Sequence, residues 1–251
     1  MKLTVGARGL FLACGLTAGS AMAQLSGGDV AVIGFNTSGA DEFAWVALRA
    51  IPANTTIKFT DSSVSNGWFR WTEHLGDAVA TPGPLRWSDT NALPIGSVVR
   101  RRFGAVTNWT VGQSAGGRMN LSEEGDQIIV YVGDIENKGP ADSPWRGDPS
   151  SATMLFALNF ANNGWGIVPN KETSTSMIPP GLSTNEGTAV HVGRKSNGYY
   201  NGARVGSVTE LRHAIATASN WITSTESFSP VVWAESFSVT NTQSGTSFTM
   251  K

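Results

Sequence analysis

Short apolar runs separated by turn residues dominate the chain. Residues 30–35 and 43–48 are two such runs, and the turn between them predicts a β-hairpin. Residues 56–61 alternate apolar and polar side chains at a period of two, which is typical of a strand with one solvated face. The 29 Gly and 11 Pro interrupt the chain too often for a bundle of long helices.

The clearest strand covers residues 127–132, where a run of apolar and β-branched residues follows Gly125 and Asp126. Residues 133–150 are dense in Gly, Pro, Asp, Asn and Ser, so we expect a long irregular loop before apolar character resumes at 153–158. Shorter or later strands are predicted at residues 68–71, 84–87, 98–100 and 231–239.

One helix is predicted near residues 208–219. Ser207 and Glu210 have the spacing of a capping box, in which the serine accepts the third helical amide and the glutamate reaches back. Leu211, Ile215 and Ala218 then fall on one face of the helix, which we expect to lie against the sheets or to close one end of them.

About nine or ten short strands with regular turns and one late helix favour an antiparallel β-sandwich. We expect a single all-β domain over residues 24–251, with the helix at its periphery. A closed β-barrel is the alternative. A parallel sheet is not expected because strands and helices do not alternate along the chain.

Three segments carry a resemblance to a known family: FTDSSVSNGWFRW (59–71), ALPIGSVV (92–99) and LSEEGDQIIVYVGD (121–134). Their order of turns and strands resembles that of lamin-tail-type domains, which are immunoglobulin-like β-sandwiches often found in secreted bacterial proteins. The resemblance covers roughly residues 29–135 and implies an immunoglobulin-like sandwich that serves as an attachment or interaction module. Its motifs are turn residues, so it implies no catalytic group.

The N-terminus has the anatomy of a cleaved signal peptide, residues 1–23. Lys2 and Arg8 supply positive charge, a short apolar run follows, and residues 21–23 offer small side chains at the cleavage positions. We therefore expect cleavage after Ala23 and a secreted or periplasmic bacterial protein. A lipoprotein acylated at Cys14, the single cysteine, is the alternative.

Charge and hydropathy exclude two classes of partner. The formal net charge of −1 and the 15% of charged residues provide no basic surface for a nucleic acid. After the signal, no stretch approaches the roughly 18 continuous apolar residues that a transmembrane segment needs.

Catalytic motifs are weak in this chain. Residues 112–116 match G-x-S-x-G, the pattern around the serine nucleophile of α/β-hydrolases, but a helix should follow Ser114 and the sequence there indicates another strand. His191 or His213 would be the base of such a site. The three histidines after the signal, which include His74, lack the spacing of a zinc site.

The predicted loop at 133–150 offers oxygen ligands of the kind that Ca²⁺ prefers. Its spacing matches no defined calcium loop, and an ordinary solvated loop is the alternative. The candidate calcium ligands are Asp134, Glu136, Asp142 and Asp148.

Several of the nine tryptophans lie beside glycine, proline or charged residues rather than inside apolar runs. Exposed indole rings stack on sugar rings or receive apolar side chains of a partner, whereas buried ones close the ends of a sandwich. The candidate ligand-binding tryptophans are Trp68, Trp71, Trp87, Trp145 and Trp165.

These observations favour a secreted, non-catalytic β-sandwich that binds an extracellular glycan, a surface or a protein ligand. A secreted hydrolase that uses Ser114 or the acids of residues 134–148 is the alternative from another class. A structural role in a surface layer or matrix is the third hypothesis.

Overall fold

The structure, a computed structural model, describes residues 24–39, 41–71, 75, 83–102, 109–166, 175–225 and 236–240. The predicted signal peptide at residues 1–23, His74, and residues 231–235 of the predicted last strand lie outside the described residues.

β-Strand is the main secondary structure of the described chain. The strands are β1 (Val30–Asn36), β2 (Glu42–Ala47), β3 (Thr56–Thr60), β4 (Val64–Ser65), β5 (Trp68–Arg70), β6 (Leu85–Ser88), β7 (Val98–Arg102), β8 (Gln113–Ser114), β9 (Gln127–Asn137), β10 (Trp145–Asn159), β11 (Ala189–His191), β12 (Asn197–Tyr200), β13 (Val205–Ser207), β14 (Trp221–Ser224) and β15 (Ser238–Thr240). The helix α1 covers Val208–Ile215, and a 3₁₀ turn covers Ala218–Asn220.

The described strands form two large open sheets rather than one closed barrel. The first is antiparallel, with the order β14-β12-β1-β2-β7. The second has the order β4-β5-β10-β9-β3-β6-β8, and β11 adds in parallel beside the end of β10. A small parallel pair joins β13 to β15.

The two sheets pack face to face through buried aromatic side chains. Phe43 of β2 lies 5.0 Å from Phe59 of β3, measured between ring centroids, and Trp45 lies 5.1 Å from Trp87 of β6 in an edge-to-face contact. All four rings are buried in one hydrophobic core. The predicted antiparallel β-sandwich is thereby confirmed.

The second sheet also buries its other face. Ile128 and Val130 of β9 enter the core between the sheets, whereas Ile129 and Tyr131 enter a second apolar cluster on the opposite side. Leu182 belongs to this second cluster. A strand buried on both faces has no polar positions to alternate with, which explains the uninterrupted apolar run of β9.

The predicted loop at 133–150 is mostly strand, so that prediction is wrong. β9 continues to Asn137 and β10 begins at Trp145, which leaves a turn of residues 138–144. Residues 133–150 are rich in Gly and Pro because the turn and the bulges of this irregular hairpin favour these residues. The register shifts between Asp148 and Ser151, and Pro149, which has no N–H to donate, lies at this bulge.

The helix begins where the capping box predicts. Ser207 Oγ accepts from the N–H of Glu210 at 3.2 Å, and the Glu210 carboxylate accepts from the N–H of Ser207 at 2.8 Å. Leu211 and Ile215 are buried, as the spacing predicted, whereas Ala218 is exposed in the 3₁₀ turn beyond the helix, so its predicted place on this face is wrong. The α-helix ends at Ile215, earlier than the predicted end at residue 219.

Among the described helices, none is long and apolar enough to cross a membrane.

Three aspartates hold the segment that leads into β9. Successive backbone N–H groups in this segment each donate to a carboxylate from a different part of the chain, which fixes the turn before the strand. The contacts are Asn120 N–H to Asp61 at 2.7 Å, Leu121 N–H to Asp41 at 2.9 Å, and Ser122 N–H to Asp126 at 3.0 Å.

Candidate functional site

A surface groove of about 470 Å³ combines one predicted tryptophan with one predicted acid. It lies where the β4–β5 hairpin, the irregular part of β10 and the turn at residues 179–182 meet. The lining residues are Gly67, Trp68, Asp148, Pro149, Ser150, Ala152, Met154, Pro180 and Gly181.

The tight turn between β4 and β5 positions Trp68. Ser65 and Trp68 are opposite each other in the ladder, so Asn66 and Gly67 form a two-residue connection. Both have positive φ angles, 49° and 82°, as a type I′ hairpin turn requires. Asn-Gly is the sequence that this turn favours, and it places Trp68 at the first residue of β5.

Trp68 is the most exposed tryptophan among those that the structure describes, at 36% of its maximal area. Its neighbours Phe69 and Trp71 are buried in the second apolar cluster. This alternation follows from strand geometry, because successive side chains point to opposite faces. One face of β5 therefore stabilises the fold while Trp68 remains open to solvent.

The wall that carries Trp68 is fixed to a distant segment of the chain. Val64 N–H donates to Ser176 Oγ at 2.9 Å, and Met177 N–H donates to the carbonyl of Val64 at 2.9 Å. A Cβ atom on Gly67 would lie 3.8 Å from Pro180 Cγ, so the proline ring packs close to the turn. These contacts tie the β4–β5 turn to the segment that carries Pro180.

The opposite wall carries Asp148 and Ser150. The Ser150 N–H and the Ser150 hydroxyl each donate to the Asp148 carboxylate at 2.9 Å. These hydrogen bonds, with a smaller effect from Lys138, lower the pKa of Asp148 from its usual value. The groove therefore presents an ionised carboxylate beside an indole ring.

A surface ion cluster adjoins this wall. The Lys138 ammonium lies 2.8 Å from Glu136 and 3.2 Å from Asp148, and Glu136 and Asp148 are opposite each other on β9 and β10. The hydrogen bond from Lys138 lowers the pKa of Glu136, and that same bond raises the pKa of Lys138. Lysine occupies the position between the two acids.

The four candidate calcium ligands do not converge. Asp134 pairs with Lys58, Glu136 and Asp148 share Lys138, and Asp142 is exposed in the 138–144 turn. Within the described part of the chain, no group of three or more potential metal-ligating side chains is present. A calcium ion at Glu136 and Asp148 would have to displace Lys138.

The other candidate tryptophans do not line this groove. Trp87 is buried in the main core, where its Nε1 donates to the carbonyl of Val111 at 2.8 Å, and Trp71 is buried in the second cluster. Trp145 and Trp165 are partly buried. Trp71 and Trp87 therefore offer no ring face to a ligand in this structure.

The surroundings of Ser114 differ from those of a nucleophile turn. Ser114 lies in the short edge strand β8 opposite Trp87, and its Oγ accepts from the N–H of Gly116 at 3.4 Å. No helix follows it, as the sequence indicated. His191 Nε2 lies 2.9 Å from the carbonyl oxygen of Ala161.

Sequence reasoning missed the turn at residues 179–182 and the walls formed by Ser150 and Met154. These positions are distant from Trp68 in sequence, and only the sheet order brings them together. The Asn-Gly pair before Trp68 was the available signal, since it predicts a tight hairpin that presents the next residue.

Comparison with known proteins leaves the chain without an assigned relative. No family model, no curated protein and no solved structure matches it.

Proposed function

We propose that this chain is a non-catalytic module that binds a glycan in the groove at Trp68. The observation that carries the proposal is the exposed indole of Trp68 beside the Asp148 carboxylate. The apolar face of a pyranose ring stacks on an aromatic ring, and its hydroxyl groups donate to nearby acceptors. The groove volume of about 470 Å³ lies in the range of small-molecule sites.

The anchoring of the β4–β5 turn and the exposure of Trp68 support binding over a structural role for this tryptophan. The β4–β5 turn is held by Ser176, Met177 and Pro180, so binding costs little ordering of the wall. A tryptophan needed only for packing would lie in one of the two apolar clusters, as Trp71 and Trp87 do. The lamin-tail-type resemblance of roughly residues 29–135, which implies an attachment or interaction module, agrees with this proposal.

The test is a glycan array with the purified protein, followed by calorimetry on the glycans that bind. We expect Trp68→Ala to weaken binding about tenfold or more, and Trp68→Phe to retain part of the affinity because a smaller ring still stacks. Val205→Thr is the matched control, since Val205 is an exposed apolar residue of β13 that does not line the groove. Binding that survives Trp68→Ala, or a lack of any binding glycan, contradicts the proposal.

We also propose that the module acts in the periplasm or outside the cell. The basis is the sequence of residues 1–23, with its charged start, apolar run and small residues before Gln24. Expression in a bacterium followed by fractionation and N-terminal sequencing tests this location. A first residue of Gln24 in the exported fraction is expected, and an intact Met1 in the cytoplasm would refute export.

A further inference from the structure

We infer that the ligand of the Trp68 groove is a neutral glycan rather than one that carries carboxylate or sulfate groups. This inference rests on the proposed glycan-binding function and specifies its substrate class. It is argued from the donors, acceptors and charges around the groove.

Two prolines and one serine of the groove wall offer no free hydrogen-bond donor. Pro149 and Pro180 line the groove and have no backbone N–H. Ser150 has both an N–H and a hydroxyl, but both donate to Asp148. A carboxylate or sulfate needs several donors to replace its lost hydration, and of the lining side chains the Trp68 indole N–H alone is left to donate.

The Asp148 carboxylate, by contrast, provides hydrogen-bond acceptors in the groove. A carboxylate has about four lone-pair sites, and the contacts of Asp148 with Ser150 and Lys138 occupy three of them. The side chain of Asp148 is 20% exposed, so its remaining site is open to a hydroxyl donor. Sugar hydroxyls are such donors, and they carry no charge.

The charges beside the groove also disfavour an acidic glycan. Lys138 is the cation beside the groove, and its ammonium group lies within 3.4 Å of Glu136, Asp148 and Ser150. Its three N–H donors are matched by these three partners. The two acids and one lysine leave a net negative charge beside the binding surface, which repels an acidic glycan.

The experiment compares neutral and acidic oligosaccharides of equal length by calorimetry. Cellohexaose, mannohexaose and chitohexaose are the neutral probes, and hexagalacturonate is the acidic probe. We expect at least one neutral probe to bind with an affinity that changes less than about twofold when salt is raised, because no charge pair is formed. Hexagalacturonate should bind at least about tenfold more weakly than that probe.

Two variants connect the result to the groove. Asp148→Asn should weaken the neutral probe about tenfold, since a hydrogen bond to an ionised group is lost, and should leave hexagalacturonate no weaker. Trp68→Ala should weaken the neutral probe by a similar factor, and Val205→Thr should change neither.

The outcomes separate the two proposals. Tight, salt-sensitive binding of hexagalacturonate that depends on Trp68 overturns the neutral class and leaves glycan binding intact. Failure of all four probes and of a full glycan array, in a protein that unfolds cooperatively, overturns both. Binding of a neutral probe that is unaffected by Trp68→Ala places the site elsewhere and also refutes both.

Discussion

The β9–β10 hairpin has two halves with opposite surroundings. In the proximal half, Ile128, Val130 and Leu158 lie in the core between the sheets, and the other face of the strands is covered by the second cluster. In the distal half, residues 133–150 carry charged and exposed side chains, including the Lys138 cluster. The same pair of strands therefore serves as core in one half and as the wall of the candidate site in the other.

This difference shows how the fold supports a binding surface. The proximal half gains its stability from burial on both faces, and Ile135 is the residue of the distal half that joins the second cluster. The distal half is held by the backbone ladder and by cross-strand pairs, which leaves Asp148 and Ser150 available for contact. Stability and recognition are carried by different residues of one hairpin.

The largest expected effect is in the proximal half. Leu158→Ala removes a fully buried side chain from the main core and should lower the free energy of unfolding by about 2–5 kcal/mol. Urea unfolding followed by tryptophan fluorescence measures it. Ile135→Ala, at 8% exposure in the distal half, should fall at the lower end of that range. Equal losses would mean that both halves belong to one core.

The junction of the two halves should be the next most sensitive position. Gly133 has a φ of 81°, and a Cβ atom there would lie 2.3 Å from the carbonyl oxygen of Ser151. Gly133→Ala should therefore cost about 1–3 kcal/mol of unfolding free energy, measured by urea unfolding. Gly39→Ala is the matched control, because its φ is 85° and nothing lies within 4 Å of the added Cβ. A cost no larger than that of the control would rule out the steric clash.

A smaller effect concerns the aspartates before β9. Burial, opposed by a hydrogen bond from Leu121 and reinforced by Asp61 and Glu123, raises the pKa of Asp41 to about 6. The folded state then holds this proton more tightly than the unfolded state, where the pKa is 3.8. Its contribution to stability is full below about pH 4 and is lost as the pH rises to about 6.

Asp41→Asn tests this pH dependence. The neutral amide should remove most of the change in unfolding free energy between pH 4 and pH 6, and should stabilise the fold at pH 7 by about 1 kcal/mol after allowance for solvent screening. Urea unfolding at a series of pH values measures both. A variant that is less stable at every pH would show that the bond to Leu121 outweighs the cost of burying the charge.

The smallest effect is expected from calcium. Lys138 occupies the position between Glu136 and Asp148, so millimolar Ca²⁺ should leave the thermal midpoint of the protein as it is in EDTA. Differential scanning calorimetry measures the midpoint. A calcium-dependent rise that disappears in Asp148→Asn would contradict this prediction and establish an ion site in the distal half.

Sequence patterns predicted the strands and the helix whose signals lie within a few neighbouring residues. The β1–β2 hairpin and the start of α1 at Ser207 follow from alternation and capping, which depend on neighbours a few residues apart. The distal hairpin was missed because its ladder tolerates Gly, Pro and acids at bulges, which resemble loop composition.

Sequence patterns predicted only some of the site residues, because they record contacts between near neighbours alone. Trp68 follows an Asn-Gly turn, and this local signal is specific. Trp87 was a candidate ligand-binding tryptophan because charged residues adjoin it, although Leu85 and Trp87 alternate with Arg86 and Ser88 at strand period. That alternation indicates a shared buried face, and the structure buries both apolar residues. The pairing of Trp68 with Pro180 depends on tertiary contacts that no local pattern records.

The position of β1 in the first sheet has a consequence for the speed of folding. Gly34 of β1 is opposite Tyr199 of β12, so one side of this central strand is completed only by a segment near the end of the chain. Proteins dominated by such distant pairings fold in about milliseconds to seconds, and ribosomes add about 5–20 residues per second. During synthesis β1 therefore waits about 8–32 s for β12, and throughout that interval its open edge is a site for aggregation that the finished sheet no longer offers.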